Sequence, residues 1–120
     1  MSNGFTVWRR VHFASSGLLG LIALAHSALT PVFYHQWTPD AVWFLGTGMG
    51  LLLLAALNWT HIGVEPCRFP TTRLVRVANW IFVALGVAAI FAVPEPQTYV
   101  LVACLVGQAI AARFTLPGNE

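Results

Sequence analysis

Four apolar stretches alternate along the chain with short breaks that carry most of the prolines. Each stretch is long enough to cross a hydrocarbon core, which takes about 20 residues of helix. The first span is expected over residues 8–30, with Pro31 ending it. The second covers 40–59, with Asp40 after Pro39 as its N-cap. The third covers 72–93, stopped by Pro94 and Pro96, and the fourth covers 97–114, with Pro117 and Gly118 beyond. The break between the last two is so short that they must form an antiparallel hairpin. The pattern predicts an all-α, integral membrane four-helix transmembrane bundle that fills residues 1–120 as a single domain.

Within each span, small and polar residues recur at helical spacing and mark the faces that meet, because lipid gives apolar side chains no reason to associate. In the first helix His12, Ser16, Gly20, Ala23 and Ser27 form one stripe, flanked by His26, while Leu18, Leu21 and Leu24 are left to lipid. The second offers Trp43, Gly46, Thr47, Gly50, Leu54 and Asn58. Its Gly46–Gly50 step invites close helix approach, and Leu52 is assigned to the lipid face. The third offers Arg76, Asn79, Val83, Gly86 and Ile90, and the fourth Gln97, Leu101, Cys104, Gln108 and Ala111. Counted by depth, Ser16, Asn79 and Gln108 fall together in one half of the bundle, with His12, Asn58 and Arg76 nearer the surface. These residues and His26 are the candidate binding residues. The expected polar cluster opens toward one membrane face, unless its members merely bond to one another between helices.

Charge orients the bundle. The chain is 58% hydrophobic and 8% charged, has no lysine, and carries six arginines against four acids. An even number of spans puts Arg9, Arg10, Arg68, Arg73, Arg76 and Arg113 on one side, which the positive-inside rule makes cytoplasmic together with both termini. Asp40 and Glu95 fall on the other side. Trp37, Trp43, Tyr34 and Tyr99 lie near the outer boundary, and Trp8, Trp59 and Trp80 near the inner one. The bias opposes a dual-topology dimer, and the arginines are too dispersed for nucleic acid. Ala23-Leu24-Ala25 resembles a signal-peptidase site, but the apolar run continues through Leu29 and reads as an uncleaved span.

No catalytic motif is present. The sequence lacks HExxH, GxSxG and paired intramembrane carboxylates, so no catalytic or metal-binding residue is assigned and no enzyme activity is expected. Cys67 beside Arg68 is a lone loop thiol, and His61 with Cys67 is too small a set for zinc. Cys67 and Cys104 lie at different depths and do not suggest a disulfide. His12 and His26, fourteen residues apart on one helix, lie roughly 21 Å apart along its axis. Two stacked haems use such a spacing, with His61 and His35 as the available second ligands, but the oriented partners such a site needs are not evident. No cofactor is therefore expected. Small four-helix drug/proton antiporters need a carboxylate inside a span, and none is here.

The segment His26-Ser27-Ala28-Leu29-Thr30-Pro31, then Phe33-Tyr34, Thr38-Pro39-Asp40 and Trp43-Phe44 carry a resemblance, as do Leu57-Asn58, Ala78-Asn79 and Pro96-Gln97. Together they resemble small uncharacterised bacterial inner-membrane proteins with four helices. The resemblance implies a multi-pass bacterial inner-membrane location, and no activity or catalytic residue. The charge-free run Pro31–Trp37 is expected in the interface plane, as an aromatic anchor or as a ledge over His26. The leading expectation is a non-enzymatic membrane protein that binds a small molecule, lipid or partner helix through its polar face. A homo-oligomer or a partner membrane protein is possible, and no nucleic acid is involved. A haem- or quinone-associated redox component using His12 or His26, and a small transporter or channel subunit, are the alternatives.

Overall fold

The computed structural model describes residues 3–62 and 71–115. They form four helices and no strand: α1 (Asn3–Phe33), α2 (Pro39–Ile62), α3 (Thr71–Ala92) and α4 (Pro96–Thr115). All four are long and apolar enough to cross a membrane. They pack as an up-and-down bundle in which α1 lies between α2 and α4, and α3 lies against α4. The α2–α3 seam is much thinner than the others.

The helix ends follow from capping chemistry. Pro39 takes the first helical position of α2, where its missing N–H costs nothing. Thr38, not Asp40, is the cap: its Oγ1 accepts from the Ala41 amide at 3.3 Å. Asp40 instead sits in the first turn, where its charge suits the helix dipole. Nor does Pro31 end α1, which runs on to Phe33 with Tyr34 N–H still bonding Thr30 O at 2.9 Å. A proline breaks a helix through its missing donor and its clash one turn back. Two residues from the helix end, little remains to be disrupted. Residues 93–95 alone join α3 to α4.

The outward faces carry the large apolar side chains. Leu21, Leu53 and Phe91 are 65%, 67% and 85% exposed, as lipid-facing residues must be. The interior holds small or polar groups and a few leucines. Its larger apolar part gathers Leu19, Ala23, Leu51, Leu54, Ala55, Val83, Leu105 and Ala109. A smaller one joins Val75 and Ala112 near the arginine-rich end, with Leu57 against them. On α3 the polar Asn79 stands between Val75 of the smaller cluster and Val83 of the larger.

The expected contact faces of α1 and α3 hold. Leu18, Leu21 and Leu24 are exposed, and His12, Ser16, Ala23, Asn79, Val83 and Gly86 are buried. On α4, Gln108 and Ala111 are buried, but Gln97 is exposed and bonds back to Glu95. The α2 stripe holds only in its arginine-end half. Trp43, Gly46 and Thr47 are exposed, and nothing approaches a Cβ built on Gly46. A Cβ built on Gly50 would meet the Phe82 ring at 3.4 Å, an ordinary contact. The close approach comes at Gly48, where a Cβ would overlap Ser27 Oγ and reach the Ser27 backbone nitrogen at 3.2 Å. Leu52, assigned to lipid, is half-buried against the core.

Candidate functional site

His12, Asn58, Asn79 and Gln108 come from four different helices and form one hydrogen-bonded ring. Asn58 and Asn79 face each other as a reciprocal amide pair. Asn58 Nδ2 donates to Asn79 Oδ1 at 2.8 Å, and Asn79 Nδ2 donates back to Asn58 Oδ1 at 2.9 Å. Gln108 Nε2 donates to Asn79 Oδ1 at 3.0 Å, which brings in α4. His12 Nε2 meets Asn58 Oδ1 at 2.9 Å, which brings in α1. His12 Nδ1 then meets Thr115 Oγ1, so α4 also closes onto α1. The second amide proton of Asn58 goes to Leu54 O at 2.9 Å. Each seam of the bundle therefore carries one link, and the thin α2–α3 seam carries the doubled one.

The proton positions are constrained. Asn58 Oδ1 only accepts, so a neutral His12 carries its proton on Nε2, and its bare Nδ1 accepts the Thr115 hydroxyl proton. That hydroxyl has a second acceptor within reach, Ala111 O at 2.9 Å.

The ring is closed to its surroundings. His12, Asn58 and Gln108 are 0% exposed and Asn79 is 1%. Of the two expected readings, the cluster opening toward a membrane face does not form, and the one in which the polar residues bond to one another between helices does. Ser16 is as deeply buried but takes no part, and its Oγ has no hydrogen-bond partner. Gln108 Oε1 is likewise unmatched. Arg76 is half-buried one turn toward the arginine-rich end from Asn79.

His26 lies apart from the ring, toward the opposite end of α1. Its ring stacks on Phe44 with centroids 3.7 Å apart, and its Nε2 is buried without a partner, as is the neighbouring Ser27 Oγ. Phe33 and Tyr34 pack on Phe44 rather than on His26, so Phe44 is the cover where a ledge was expected. His35 is exposed and His61 bonds Leu57 O on its own helix at 2.7 Å, so neither joins His26 or His12. Cys67 and Arg68 lie outside the described residues. Among the described residues, no three His, Cys, Asp or Glu side chains gather as metal ligands.

The feature that sequence reasoning missed is a groove between α1 and α2, of about 570 Å³. Its floor is made of Gly17, Gly20, Ala55 and Ala56. Leu21, Leu24 and Leu52 border one end, and Trp59 with Thr60 the other. Ser16 lies in its wall. The groove exists because residues without bulk face each other across the α1–α2 seam, with the Trp59 ring 3.5 Å from where a Cβ on Gly17 would stand. The small residues of α1 gave half of that signal. The other half appears only once α2 is set in register against them. No protein-family model, no curated protein and no solved structure matches the chain.

Proposed function

We propose that the chain is a non-enzymatic protein of the bacterial inner membrane that holds the hydrocarbon chain of a lipid-like molecule in the α1–α2 groove. On this reading the polar ring locks the helices and does not contact the ligand. One observation carries the reading: an open, almost wholly apolar groove with a floor of small residues runs along the α1–α2 seam, bordered by exposed side chains. A volume of about 570 Å³ lies within the range of small-molecule sites. Ser16 to Leu24 spans eight residues, about 12 Å of helix, which is most of one leaflet's roughly 15 Å half of the core. A chain that enters from the Trp59 end can therefore lie along the groove for most of its length.

Trp59 makes the reading testable. Trp8, Trp37, Trp43 and Trp80 are replaced by Phe, and the protein is placed in phosphatidylcholine vesicles doped with lipid brominated along its chain. Occupancy of the groove predicts Trp59 quenching at low doping well above that of a companion protein keeping only Trp80, which is exposed. Ala56→Phe, on the exposed side of the groove, should bring quenching down to the Trp80 level. Equal quenching of Trp59 and Trp80 would refute the reading. Cysteine cross-linking between copies at Ala56 would replace it with a partner helix as occupant.

A redox role has one observation in its favour, the buried and unpartnered Nε2 of His26 stacked on Phe44. A Soret band, or quinone in an organic extract of the purified protein, would support it. Absence of both would remove it.

A further inference from the structure

The groove continues along α1 as a stripe. Arg10, Phe13, Gly17, Gly20 and Leu24 follow one another at three- and four-residue steps and so share a face. Phe13 meets Trp59 edge-on with centroids 4.5 Å apart, which forms the gate between the apolar trough and the membrane surface. Arg10 is exposed one turn beyond that gate, with Arg9 beside it. It stands seven residues from Gly17, about 10 Å along the axis. Helical side chains lean toward the N-terminus, so its guanidinium reaches further still toward the surface.

Among the described residues, charge at this end is all positive. Arg9, Arg10, Arg73, Arg76 and Arg113 gather there, while the acids among the described residues, Asp40 and Glu95, stand at the other end. A molecule whose hydrocarbon chain fills the trough must put its head beside Arg10. A zwitterionic choline head would bring a positive group against two arginines. A head with net negative charge would not.

We infer that the groove selects an anionic phospholipid of the leaflet on the arginine side: one acyl chain over Gly20 and along Leu21 and Leu24, the glycerol region at the Phe13–Trp59 gate, and the phosphate on Arg10. This rests on the hydrocarbon-chain reading above and adds the identity of the head.

The probes are chain-brominated phosphatidylglycerol and chain-brominated phosphatidylcholine, each doped into unbrominated phosphatidylcholine vesicles holding the Trp59-only protein. Quenching at equal doping should favour phosphatidylglycerol by about fivefold or more in apparent affinity, since each arginine near the surface contributes about that factor. High salt should shrink the preference. Arg10→Gln should cut the preference about fivefold, weakening phosphatidylglycerol more than phosphatidylcholine, and Arg10→Lys should keep most of it. Arg10 is exposed, so neither change disturbs the interior. Equal quenching by the two lipids, above the Trp80 level, would overturn the head assignment and leave the chain reading standing. An unaltered preference in Arg10→Gln would overturn the assignment to Arg10. Quenching by neither lipid above the Trp80 level would overturn both readings.

Discussion

Asn79 is the hub of the polar ring, and its replacement by leucine separates a structural hub from a peripheral member. Asn79 Oδ1 accepts from Asn58 and Gln108, and its Nδ2 donates to Asn58, so Asn79→Leu removes three hydrogen bonds at once. Interhelical bonds in a membrane average about 0.6 kcal/mol each, so the lost bonds amount to about 2 kcal/mol. Gln108 then keeps no partner for its amide nitrogen, which adds a penalty of about 1–3 kcal/mol for an unmatched buried group. Asn58 suffers less, because it retains Leu54 O and His12. The expected loss is roughly 3–5 kcal/mol. Gln108→Leu behaves differently: it gives up a single bond and also removes a carbonyl oxygen that had no partner, so it should change stability by less than about 1 kcal/mol. In the double variant the orphaned Gln108 amide is gone, so the double should be more stable than the two single losses added together. Reversible unfolding in mixed micelles with increasing SDS measures all three variants. Equal losses for Asn79→Leu and Gln108→Leu, or additivity within about 0.5 kcal/mol, would refute the hub geometry.

Other outcomes follow from the same contacts. Gly48→Ala forces a methyl group onto Ser27 and should cost about 1–3 kcal/mol, whereas Gly46→Ala meets open space and should be neutral in the same assay. Ser16→Ala removes an unmatched buried hydroxyl, so it should leave lipid-free stability unchanged or raise it by about 1 kcal/mol. Lipid quenching of Trp59 should not change, because the hydroxyl is shielded from the groove, and a drop in stability would show that Ser16 is bonded in the membrane. Reporter fusions at Glu120 and between Val64 and Arg68 should read cytoplasmic, and one at Gln36 external, as the arginine distribution requires. An external C-terminus would break the orientation argument.

The polar pattern located the interior where a residue could not satisfy itself. Asn58 bonds its own helix at Leu54 O and still has an oxygen and a proton to place, so it must face other helices. Asn79 and Gln108 are read correctly for the same reason. Thr47 misleads because its hydroxyl is satisfied by Trp43 O at 2.9 Å within α2, leaving it free to face lipid. Gly46 misleads because a glycine permits close approach without requiring it, whereas Gly48 is the one pressed against α1. Leu19, fully buried, carried no mark, since in a membrane the core and the solvent are both apolar and a leucine suits either. Ser16 is read onto the correct face, but the layer of Asn79 and Gln108 expected to include it is joined by His12 and Asn58 instead. Its lack of a partner depends on side-chain distances that a helical stripe does not contain.

The closed ring bears on how such a chain is made. Helices leave the ribosome in order, and α4 comes last. Until it inserts, His12 has no Thr115 and Asn79 has no Gln108, so a three-helix intermediate holds polar groups in lipid without their full complement. Arrival of α4 supplies both links in one step, because α4 lies against α1 and against α3. The polar circuit is thus completed only when the last of these four helices arrives. A chain truncated before α4 keeps unmatched polar groups within the membrane, a chemical mark by which quality control can tell an unfinished bundle from a finished one.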